Sequence, residues 1–159
     1  MLKTIVIGLG NSILGDDGVG CLAADALRER PEAASVEIDT LAVGGISLME
    51  RMIGFERAIV IDAISTGGSP TGSVTCFPLE ALGNAFAGHL GSAHDTSLLT
   101  ALEVGRTLGA ELPKQVSVVA IESPYVFDFS TQLSPEVASA IPAAVQAAVE
   151  LFSEIGGVR

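Results

Sequence analysis

The chain has 159 residues, 48% of them apolar, and a formal net charge of −11. That length suits one domain with a genuine core, one that buries roughly 70% of the surface its unfolded chain exposes. The apolar fraction excludes a disordered segment, and the acidity excludes a nucleic-acid backbone or an anionic membrane as partner.

Thr4–Ile7 is a compact β-branched run that stops at Gly8, and it predicts a buried parallel strand. Val19–Leu27 has helical spacing, with Val19, Leu22, Ala23, Ala26 and Leu27 on one face, and Pro31 stops it. Ser35–Leu41 alternates and predicts a second strand, and Ile46–Ile53 a short helix after Gly44 and Gly45. Arg57–Ile61 predicts a third strand, with Asp62 at its C-terminal edge. Thr66–Thr71 is a turn cluster and Ser73–Phe77 a fourth strand, while the glycine-rich stretch Pro78–Gly91 takes no assignment. Ser92–Leu108 has helical spacing through Leu98, Leu99, Leu102 and Val104, and Val116–Ile121 predicts the fifth strand. Ser134, Pro135 and Glu136 open a last helix through Leu151, with a serine cap, proline at the first helical position and an acid in the first turn.

Strands alternate with helices almost throughout, and neither repeat nor linker interrupts them. The expectation is a single α/β domain over 1–159, with a doubly wound, mostly parallel sheet. The apolar run after Lys3 is too short for a signal peptide, and no later run approaches a membrane span. Cys21 and Cys76 form no CxxC pair, so neither a structural zinc site nor a disulfide framework is expected. A soluble, cytoplasmic, monomeric protein is the expectation.

In such a sheet, ligands bind beyond the carboxyl ends of the strands. The segment after the first strand, GLGNSILGDDGVG from Gly8 to Gly20, is therefore the most informative in the chain. It begins like a dinucleotide-binding loop, but position 13 is Ile rather than Gly, and Asp16 and Asp17 stand where the helix begins and would repel a pyrophosphate. A nucleotide-binding module, with Asp39 in the role of a ribose-binding acid, stays as the alternative. Asp16 reads as a helix cap, whereas Asp17 reads as a site residue because Asp62 should end on the same sheet edge. Asp62 can also be read as a turn-initiating aspartate ahead of Gly67 and Gly68. His94, in SAHDTSLLTAL, opens a helix that would keep its imidazole neutral and able to ligate a metal; His89 is unassigned. Two carboxylates and an imidazole suit a divalent first-row ion with positions left open. No HExxH helix and no GxSxG elbow are present.

GLGNSILGDDGVG after an N-terminal strand, Asp62 after AIVI, and SAHDTSLLTAL together resemble the nickel-iron hydrogenase maturation proteases. The similarity extends to VSVVAIES and the LSPEV helix start, and so covers nearly the whole chain. The resemblance implies a three-layer αβα domain with a twisted, mostly parallel five-stranded sheet. It implies an endopeptidase that removes the C-terminal extension of the hydrogenase large-subunit precursor after nickel insertion, with the substrate-borne nickel as the recognition element. It also implies that Asp17, Asp62 and His94 are the metal-contacting and catalytic residues, in a site that other divalent metals could enter. The family's first acid varies between Glu and Asp. A non-hydrolytic nickel-sensing maturation module is the remaining alternative.

Overall fold

The computed structural model describes residues 1–82, 97–124 and 128–153. Five strands, β1 (Thr4–Leu9), β2 (Glu37–Leu41), β3 (Arg57–Ile64), β4 (Val74–Pro78) and β5 (Gln115–Glu122), form one sheet in the order β2-β1-β3-β5-β4. The helices are α1 (Val19–Arg28), α2 (Gly45–Arg51), α3 (Leu98–Thr107) and α4 (Pro135–Ser153). β1 and β3 are buried along their whole length, which is why their sequences run apolar without alternation.

The chain leaves β1 for β2 on one side, then crosses back over β1 to β3 on the other. Right-handed crossovers in opposite directions put α1 and α2 on opposite faces. The core divides accordingly. Val6, Ile59 and Ile61 pack with Val19 and Leu27 of α1 and Val137 of α4, while Ile5, Val60 and Val118 pack with Leu48 of α2 and Leu98 of α3. The point where the direction of winding reverses lies between the carboxyl ends of β1 and β3, the place where doubly wound sheets open a crevice.

β4 is the exception to the parallel arrangement, pairing antiparallel with β5 from Val74 opposite Ile121 to Pro78 opposite Ser117. The link from Ile64 to Val74 is a turn cluster without a helix, so it cannot carry the chain back to start a parallel strand. β1 and β3 each run further than the hydrophobic runs suggest, to Leu9 and Ile64. Asp62 therefore sits inside β3, opposite Ala120 of β5, rather than in a turn beyond it. Of the unassigned stretch, Leu79–Ala81 makes a short 3₁₀ turn. Helix α3 starts at Leu98, with Ser97 capping it through an Oγ that accepts the Thr100 amide at 3.2 Å. The expected start at Ser92 lies outside the described residues.

Candidate active site

The segment from Gly8 to Gly20 folds back on itself, and its glycines are where the chain touches itself. A Cβ on Gly20 would overlap the carbonyl oxygens of Leu9 and Ile61, and one on Gly8 would overlap Gly20 O. Without side chains there, α1 starts against the ends of both β1 and β3. Gly10, at φ +146°, has the carbonyl of Asp17 where its Cβ would be. The GxG pairs at the two ends of the motif thus interlock. These glycines are used for close packing of the loop and α1 against β1 and β3.

Between them a 3₁₀ turn, Gly15–Gly18, carries both aspartates. Asp17 is half-buried; its amide donates to Leu14 O at 3.2 Å, and its Oδ2 accepts the Asn11 amide at 2.9 Å. Its carboxylate is therefore held by the loop's own backbone. Asp62 is fully buried. Its neighbours Ile61 and Ala63 face α1 and α4, and Val60 and Ile64 face α2 and α3, so alternation puts Asp62 on the α2–α3 face near the carboxyl end of β3. The turn carrying Asp17 packs against β3.

Cys21 reports on both acids. Its thiol lies 3.4 Å from Gly10 O and 3.5 Å from Gly8 O, over the end of β1. Burial, followed by the negative charges of Asp25, Asp62 and Asp17, pushes it up to about 11. Asp17, in the turn that packs against β3, and Asp62, within β3 near its end, both lie by the switch between β1 and β3. His94 lies outside the described residues, as does His89. Among the described residues, no three His, Cys, Asp or Glu side chains form a metal-holding group.

One expectation needs correction. Asp16 does not cap the helix that follows it: no side chain caps either the 3₁₀ turn or α1. Asp16 is buried at 3% exposure and accepts the amide and the hydroxyl of Ser134, each at 2.6 Å, at the start of α4. Asp39, the acid of the nucleotide alternative, is engaged within the fold: its Oδ2 accepts Arg51 Nε at 2.6 Å and its Oδ1 the Thr40 amide at 2.8 Å. Partial burial would raise the Asp39 carboxyl, but the hydrogen bonds from Arg51 and Thr40 outweigh it and hold the carboxyl below its ordinary value.

Glu122 is a carboxylate that the sequence reading passed over. It closes β5 opposite Ile64, is 5% exposed, and accepts both the amide and the hydroxyl of Thr66, which shapes the loop after β3. The signal was there, since VSVVAIE ends an apolar strand in an acid just as AIVID does.

The sequence profile of the hydrogenase maturation protease (HycI) family matches residues 23–151. That match starts beyond the Gly8–Gly20 segment and so stands independently of it. The hydrogenase 2 maturation protease of Escherichia coli K12 is 27% identical over 158 residues, covering 98% of this chain and 93% of the relative. The hydrogenase expression/formation protein HupD of Thiocapsa roseopersicina is 26% identical over 98% of this chain and 70% of its own length. Among solved structures, the hydrogenase maturating endopeptidase HybD from Escherichia coli superposes with a TM-score of 0.75 at 24% identity, covering 98% of this chain and 94% of that one. The [NiFe] hydrogenase maturation protease HybD from Thermococcus kodakarensis does so with a TM-score of 0.68 at 25% identity, covering 94% and 99%. The chain belongs to the hydrogenase maturation protease family, and it is a peptidase with that family's αβα fold.

Proposed function

We propose that this peptidase removes the C-terminal extension of a nickel-iron hydrogenase large-subunit precursor, in the cytosol and as a monomer, once nickel has been inserted. The observation that carries the reading is the placement of Asp17, in a turn packed against β3, and of Asp62, buried near the end of β3, beside the switch point between β1 and β3. Two carboxylates there offer hard oxygen donors to a divalent ion that arrives on the substrate. His94 would complete the set. His94 is assigned by the resemblance of SAHDTSLLTAL to the family and lies outside the described residues. The nickel is cargo of the substrate, and docking reads whether it has been inserted. Among the described residues, no helix is long and apolar enough to cross a membrane.

The attacking group is then water. Cys21, with its thiol held up to about 11, stays protonated at neutral pH and is no thiolate nucleophile. As water attacks the scissile carbonyl, Asp17 or Asp62 is the group able to take its proton. The C–N bond then breaks, and the leaving amine receives a proton. A site that waits for a metal-loaded substrate should leave a nickel-free precursor intact, even with its extension accessible.

The test is to incubate the purified chain with nickel-loaded and nickel-free precursor and weigh the products. Loss of a C-terminal peptide from the loaded form alone is the expected result. No shortening of either form would remove the protease reading in favour of a non-hydrolytic maturation module. Cleavage of the nickel-free form in chelator would remove the metal-reading step while leaving the peptidase in place.

A further inference from the structure

The 3₁₀ turn that presents Asp17 is fastened to a segment more than a hundred positions later in the chain. Leu14 and Ser130 form an isolated parallel bridge. The Gly15 amide donates to Ser130 O at 2.7 Å and the Ser130 amide to Ile13 O at 2.8 Å. Asp16 then accepts both the amide and the hydroxyl of Ser134, immediately before α4 begins at Pro135. A buried carboxylate is costly unless charge-assisted hydrogen bonds satisfy it, and here two donors at the positive end of a helix do so. Asp16 and Asp17 are consecutive residues of one tight turn, so any rotation of that turn moves both.

We propose that Asp16 is a positioning residue: through Ser134, the C-terminal helix sets where the turn stands and hence where the Asp17 carboxylate points. The geometry that carries this is the short two-pronged contact on one side of the turn and the Asn11 amide held by Asp17 Oδ2 on the other. A mere cap for α4 would need no neighbour with a role in the site. The catalytic consequence rests on the protease reading above, but the structural half does not.

The Asn11 amide gives a direct readout, because its acceptor is the Asp17 side chain. In the full chain, amide hydrogen exchange should be compared among wild type, Ser134→Ala, Ser134→Thr and Asp16→Asn. We expect Asn11 to exchange at least tenfold faster in Ser134→Ala and Asp16→Asn and to return towards wild type in Ser134→Thr, with the β3 and β5 amides unchanged. With nickel-loaded precursor, kcat/KM should fall about tenfold in Ser134→Ala and recover in Ser134→Thr. An unchanged Asn11 rate in Ser134→Ala, with faster exchange confined to the first turn of α4, would overturn the proposal. So would wild-type kcat/KM in both Ser134→Ala and Asp16→Asn. If either variant fails to fold, the other decides. Should the wild type process nothing while the exchange pattern appears as expected, the protease reading fails and the positioning role stands.

Discussion

Asp16 and Arg57 close opposite ends of the same helix. Asp16 accepts the amide and hydroxyl of Ser134 ahead of α4, and Arg57 donates from Nη1 to Leu151 O at 2.6 Å and from Nη2 to Phe152 O at 3.4 Å at its far end. Both side chains are buried, at 3% and 5% exposure, and the helix between them has 19 residues, which makes it about 28 Å long. Each charge faces the end of the helix dipole that opposes it in sign. α4 is thereby tied at one end to the candidate site and at the other to the start of β3.

Arg57 should therefore matter to stability without touching the site. Arg57→Met removes the bonds to both carbonyls and the one from Nε to Thr4 Oγ1 at 3.2 Å. We expect a loss of about 2–4 kcal/mol in urea unfolding, since buried acceptors are left without a donor. Arg57→Lys should recover only part of it, because an ammonium cannot span three acceptors as the guanidinium fork does. Full stability in Arg57→Met would contradict the account.

The glycines of the first motif should not be interchangeable with others. Gly20→Ala sets a methyl against two backbone oxygens of the central strands, neither of which can move cheaply. It should cost about 3 kcal/mol or more, at the upper end of overpacking effects. Gly68→Ala should lie within about 0.5 kcal/mol of wild type, as its Cβ would meet only Thr66 Oγ1 at 3.7 Å. Thermal or urea denaturation of the pair gives the comparison.

Cys21 should respond to the charge of Asp62. Removing that charge in Asp62→Asn lowers the thiol from its value of about 11, so alkylation of native Cys21 at pH 8–9 should speed up. A rate that does not change would mean that the two groups are not electrostatically coupled. The linkage has a definite sign. A thiol raised from 9.0 to about 11 keeps its proton longer in the folded state, so its contribution is constant below pH 9 and stability falls as pH rises towards 11. Cys21→Ser should flatten that alkaline limb.

Asp17→Asn, Asp62→Asn and His94→Ala should each lower precursor processing by about 100-fold or more, as expected for loss of a proton-accepting or metal-contacting group. Folding should survive. Asp62→Asn replaces a fully buried carboxylate by a neutral isostere, so its stability should equal or exceed that of wild type, whereas Asp62→Ala opens a cavity and should be less stable. Processing at the wild-type rate by Asp62→Asn would remove it from the site.

Much of this was legible in the sequence. The alternation of β-branched runs with helical spacing gave five strands and a doubly wound order, because local periodicity is set by which faces are buried. The acids of the first loop and Asp62 could be assigned to the carboxyl edge because parallel topology puts every strand end of one sense there. The extent of the strands was not legible: β3 runs on through Asp62 because β5 lies alongside as far as Glu122, and pairing with a strand more than fifty positions away leaves no local mark.

What the sequence by itself determined is the class of fold, the family, and the loop in which the acids lie, all of which follow from residue order over short windows. Only the tertiary structure decided what surrounds each acid. Asp16 and Asp17 are adjacent and chemically identical, yet one is buried against Ser134 and the other accepts an amide of its own loop beside β3. Asp39 is held by Arg51, and Glu122 by Thr66. A carboxylate's role depends on its solvation and on the donors within about 3 Å of it, and folding brings those donors from distant parts of the chain.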